Sequence, residues 1–176
     1  MLEVAIALFI LTLGLLGLLG LNVVAQQAEV ESYQRVQGVI LLNDMIERIN
    51  ANRYAASCFA FTDASSGTPY LGVGGEGPPE CTVGSNPDSA NNAIDAWDEL
   101  LKGAAELSAS SAQIGALPGA RGCVSFDAGT GTYTIAVAWQ AEVAGFAPTT
   151  NCGNGLYGSE TKRRVVWATM QIASLR

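Results

Sequence analysis

The sequence contains no histidine, and its nine lysines and arginines face 16 acids, a net charge of -7 over 176 residues. The first absence removes the commonest acid/base group and metal ligand near neutral pH, and with it most of the case for a hydrolase triad or a zinc site. The second argues against a nucleic-acid surface, which needs clustered cations to meet phosphates. No C-x-x-C pair is present. Calcium is not expected either: Asp88 and Asp95, with Asn91 and Asn92 between them, lack the EF-hand spacing and its closing glutamate. No serine, cysteine or carboxylate constellation stands out, so no catalytic residue, cofactor site or metal site is expected. The length suits one globular domain with an appendage.

The four cysteines, Cys58, Cys81, Cys123 and Cys152, are even in number and widely spaced. Without histidines beside them, they read as two disulfides formed in an oxidising compartment. Three connectivities are open. Sequential pairing, Cys58 with Cys81 and Cys123 with Cys152, closes the shortest loops and is favoured; each bridge is worth about 3 to 4 kcal/mol in the loop-entropy account.

From Val4 to Leu21 every residue is apolar or glycine except Thr12. At helical rise the run spans about 27 Å, close to the thickness of a bilayer's hydrocarbon. No basic stretch precedes it and no small-residue cleavage site follows, so it is not expected to be removed as a signal peptide. Helix-forming sequence then continues without proline to about Arg53. In that continuation Val39, Leu42, Met45, Ile46 and Ile49 share a face at helical spacing, while Asp44, Glu47 and Arg48 fall away from it. Glu31 with Arg35, and Asp44 with Arg48, make i, i+4 pairs of favourable orientation. One long helix follows, greasy on all sides in its first half, which should project, and amphipathic in its second, which should pack on a soluble domain.

Two features of the greasy half need explaining. Glu3 places a carboxylate inside an apolar run, at a cost of about 3 kcal/mol at mid-membrane and less near an end. Its partner is either a cation from another molecule, a neighbour's terminal amine being the natural one, or the headgroup layer. Gly14, Gly17 and Gly20 each weaken a helix by up to about 1 kcal/mol. They make the segment soft, or allow close helix packing, although a true G-x-x-x-G is absent.

An apolar helix with a glutamate near its start and a long amphipathic continuation resembles the type IV pilins and the related pseudopilins. In that family the glutamate is the fifth residue of the mature chain, after an N-methylated first residue; here it is third, so the sequence looks two residues short of that start. TLGLLGLLGLN, LLNDMIERINANRYAA, LPGARGCVSF, YTIAVAWQ and KRRVVW resemble the PilV-type minor pilins in particular. The resemblance implies an inner-membrane subunit pool, incorporation into a thin extracellular filament through the N-terminal helix, other pilins as partners, and a place at or near the tip. It implies that Glu3 neutralises a neighbouring subunit's terminal amine, and that Gly14 to Gly20 lie where such helices lose regular structure inside filaments. The resemblance also admits a type II secretion pseudopilin. A membrane-anchored binding protein that never polymerises is the reading from a different class.

The rest of the chain reads as an α+β head. Residues 1–25 form the membrane or filament-core half of the helix and 26–176 the soluble domain. A loop rich in Gly, Pro, Ser and Asn, holding Cys58 and Cys81, follows Arg53. Ile94, Trp97, Leu100, Leu101, Ala104 and Leu107 predict a short helix from Ala93 to Ser108, with Asp95, Asp98 and Glu99 in its first turns and Pro118–Gly119 beyond its end. Tyr133, Ile135, Val137 and Trp139 alternate with Thr132, Thr134, Ala136 and Ala138, the pattern of a half-buried strand. GCVSFD and RRVVWATMQIA are its expected antiparallel partners, and Asp127–Gly131 the hairpin turn. Trp97, Trp139 and Trp167 are expected in the core or on a sheet face. Lys162, Arg163 and Arg164 read as a solvated charge run at the start of a strand. Any receptor contact, its ligand unknown, should fall in the first loop or in the one carrying Cys152.

Overall fold

The structure is a computed structural model and describes residues 2–104 and 117–172. The chain divides into two compact units, Met1–Gln34 and Arg35–Arg176. Helix α1 (Leu2–Ala51) supplies the described part of the first unit and the opening of the second. A 3₁₀ turn (Arg53–Phe59), strand β1 (Leu71–Gly72), helix α2 (Pro87–Lys102) and strands β2 (Arg121–Asp127), β3 (Thr132–Gln140) and β4 (Arg163–Gln171) complete the second, with a short 3₁₀ turn at Glu160–Lys162. The four strands form one antiparallel sheet in the order β1-β2-β3-β4. The α+β class expected from the pattern is the one observed.

Within the second unit, α1 buries Gly38, Leu42, Met45 and Ile49, one residue in every three or four, as a helix lying on a sheet requires. Val39, expected on this face, is 41% exposed; the glycine before it takes the buried position. The reason is space: a Cβ on Gly38 would stand 2.9 Å from the Trp139 ring and 3.2 Å from Val166. The helix therefore approaches β3 and β4 more closely than a side chain permits. Ile46 is half-buried against the same core. Arg48 Nε donates to Asp44 at 2.6 Å, the expected i, i+4 pair.

Helix α2 starts six residues earlier than Ala93. Pro87 occupies its first turn, where the missing N–H costs nothing, and Ala90 is its first buried residue. Among the acids only Asp88 lies in the first turn; Asp95, Asp98 and Glu99 are interior, which corrects the dipole argument made for them. The helix stops at Lys102 because Gly103 turns left-handed, at φ 102°. Leu107 and Ser108 lie outside the described residues. Trp97 sits on Gly122, where a Cβ would come within 2.2 Å of the indole, and its Nε1 donates to the Leu41 carbonyl at 2.9 Å. Asp98, 2% exposed, accepts the Gly72 N–H at 2.6 Å and pairs with Lys102, tying α2 to β1.

The sheet has two covered faces rather than one. Tyr133, Ile135, Val137 and Trp139 join Val124 in the main core. On the other face Cys123, Ala136 and Ala138 are also buried, under Cys152 and Tyr157. Ala136 and Ala138 were expected on an open face; their small side chains instead admit a loop laid over the sheet. Asp127 Oδ1 accepts the Gly129 N–H in the β2–β3 turn, at the site expected for the hairpin.

Candidate functional site

The candidate assembly surface is the first part of α1. Leu2, Val4, Ile6, Leu8, Phe9, Ile10 and Leu11 are each more than half exposed, and the same holds on every side of the helix through Val24. A window of 18 residues in α1 reaches a mean hydropathy of 2.7 with none of it buried, which is long and apolar enough to cross a membrane. An apolar surface this large is stable only in lipid or against other helices. Thr12 hides its hydroxyl by donating to the Phe9 carbonyl at 2.8 Å, so the side chains of Val4–Leu21 present no free polar group. Glu3 lies in the first turn, where an acid is favoured by the helix dipole.

Gly14, Gly17 and Gly20 are helical here, and an added Cβ at any of them would meet nothing within 4 Å. Their lack of a side chain therefore serves no packing inside this chain, in contrast to Gly38. Glu3 and the three glycines lie along one helix but share no site within a single chain; any joint role arises between chains.

In the second unit, the cysteines pair as Cys58–Cys81 and Cys123–Cys152. The first bridge holds the loop after the 3₁₀ turn to the core. The second fixes the Cys152 loop over the outer face of β2 and β3. Two arginines missed as structural residues reinforce that loop. Arg163, taken as solvated, is 2% exposed: its Nε donates to Glu160 at 2.6 Å, and its other nitrogens donate to the carbonyls of Pro148, Thr150 and Cys152. Burial pushes the Glu160 carboxyl up, but the Gly155 N–H and the Arg163 guanidinium outweigh it and hold the group below its usual range. Arg121 stacks its guanidinium 4.6 Å from the Tyr157 ring and 5.5 Å from Tyr70, and burial raises the Tyr157 phenol. The strand pattern gave no hint of the burial of Arg163, which shares its face of β4 with the exposed Trp167, Thr169 and Gln171. Among the described residues no group of three His, Cys, Asp or Glu is placed to hold a metal.

The molecule thus joins an apolar helix bearing one early carboxylate to a disulfide-tied α+β head. Residues 20–83 match the family model Tt1218-like, described as type IV pilin Tt1218. That segment, well under half of the chain, is similar to a type IV pilin. The matched segment runs from Gly20 through both cysteines of the first bridge. No curated protein and no solved structure matches the chain.

Proposed function

We propose that this chain is a minor, PilV-type subunit of a type IV pilus, held in the inner membrane by the first half of α1 and then drawn into the filament through the same segment, to prime assembly or sit at or near the tip. The observation that supports the reading best is the contrast within α1: an unbroken apolar surface with one carboxylate, Glu3, at its start. Lipid alone would accept the apolar surface and gain nothing from the acid, which costs free energy wherever it is drawn into hydrocarbon. A bundle of like helices gives the acid a purpose, because a neighbour's terminal amine neutralises it at close range in a medium of low dielectric. The glycines fit the same account, since they cost helix stability and repay nothing inside one chain.

The test is to shear surface appendages from cells and identify this chain, with its N-terminus, by mass spectrometry. It is expected in the sheared fraction in wild type, and with Glu3→Ala it is expected to fall at least tenfold there while membrane levels hold. Equal amounts of the variant and wild type in filaments would refute the role of Glu3. Loss of protein secretion with intact pili, in a strain lacking the chain, would favour a pseudopilin instead. Permanent retention in the membrane would favour an anchored binding protein.

A further inference from the structure

Strand β4 is an edge of the sheet. Its inner side pairs with β3 along the whole of Arg163–Gln171, and among the described residues Val165–Gln171 make no backbone bond on the other side. Edge strands normally carry a guard such as a proline, a bulge, a central charge or a covering loop, because a bare row of N–H and C=O groups recruits other strands. From Val165 to Ile172 there is no charge, proline or glycine. The opposite edge is different: β1 is two residues long and both are buried.

The side chains along this edge are as suggestive as its backbone. Val165 is partly buried under the Cys152 loop, but Trp167, next outward on the same face, is 57% exposed, and Phe146 in the adjacent loop is 98% exposed. A cleft of about 360 Å³ separates the Phe146–Thr150 segment from Arg164, Val165 and Trp167. The Thr150 hydroxyl, at its wall, is buried without a hydrogen-bond partner. Just before β4 stands Lys162, exposed, while the nearby Glu160 is engaged by Arg163 and the Arg164 guanidinium donates to the carbonyls of Val143 and Thr161.

We propose that β4 accepts an extended segment of a different protein as a fifth strand, with carboxylates near Lys162 and apolar side chains over Trp167 and Phe146. Main-chain bonds would supply affinity and the alternate side chains specificity. A second copy of this chain is a poorer occupant. Antiparallel pairing of β4 with itself would set Lys162 against the far end of the other strand, and residues 161–176 contain no acid to meet it.

The binding test does not depend on filament incorporation. The full chain in detergent micelles is titrated with labelled, acetylated nonapeptides of alternating valine and threonine that carry two aspartates at one end or the other, and polarisation is read. One orientation is expected to bind at submillimolar concentration. Replacing its aspartates with lysines, or N-methylating alternate amides, should weaken binding at least tenfold, as should Lys162→Glu or Trp167→Thr, both at exposed positions. Absence of binding at millimolar peptide, equal binding of the N-methylated peptides, or indifference to both variants would overturn the proposal. So would a disulfide between two copies of Trp167→Cys, the mark of self-pairing.

Discussion

The two halves of α1 invert the usual association between hydrophobicity and burial. Val4–Leu21 has one polar side chain and is exposed throughout, whereas Arg35–Ala51 carries four charged residues and buries Gly38, Leu42, Met45 and Ile49. What separates them is sidedness. A stripe of apolar positions on an otherwise polar helix has one solution in water, which is to lie on a core. A helix apolar all round has no preferred side, so its surroundings must come from outside the chain. The stability of residues 35–172 is accordingly a property of this chain, and that of residues 2–34 a property of lipid or neighbours.

That contrast is open to attack by substitution. The largest effect is expected on breaking Cys123–Cys152 by a double serine change. Removing the constraint on the unfolded chain should cost about 3 to 4 kcal/mol in denaturant unfolding of the head, while the helicity of the first half in detergent, followed by circular dichroism, stays put. Next comes Ile49→Ala. It removes a fully buried side chain from α1 and should cost about 2 to 4 kcal/mol. The matching change in the first half, Leu11→Ala, should leave head stability unaltered. A dependence of head unfolding on Leu11 would show that the two halves are energetically one.

The glycines sharpen the comparison because the same substitution should have opposite signs. At Gly17 an added methyl meets nothing, so Gly17→Ala should stiffen the isolated helix by up to about 1 kcal/mol while lowering incorporation into filaments. At Gly38 the methyl meets Trp139 and Val166, and Gly38→Ala should destabilise the head by about 1 to 3 kcal/mol. The smallest effect concerns acid. Glu160 is held below its usual pKa by Gly155 and Arg163 against the opposing pull of burial. A carboxyl depressed on folding stabilises above its unfolded pKa and loses that contribution as pH falls through its folded value. Head stability should therefore decline slightly below about pH 4, and less steeply in Glu160→Gln.

Much of this architecture was legible in residue order. The alternation in TYTIAVAWQ, the turn at Asp127–Gly131 and the two flanking strands follow from local chemistry, and β2, β3 and β4 pair in that order. The greasy run and Glu3 were equally plain, since a membrane-length apolar segment advertises itself. The failures share a cause: each depended on something distant in sequence. Gly38 replaces Val39 on the buried face because of a tryptophan a hundred residues away. Ala136 and Ala138 are covered because a disulfide brings the Cys152 loop over them. Arg163 is buried because loop carbonyls converge on it. Helix α2 began at Pro87 because the apolar period, used alone, overlooks a first turn that buries little.

Arg163 grips main-chain oxygens of Pro148, Thr150 and Cys152, not the side chains that distinguish those residues. A clasp of that kind is indifferent to what hangs from the ribbon it fastens. The exposed Thr149 is thereby released from the duty of holding shape, and that point of the surface can be rewritten without the head having to be rebuilt beneath it, whereas Asn151, whose amide ties this loop to the Ala64 and Ser65 carbonyls, cannot.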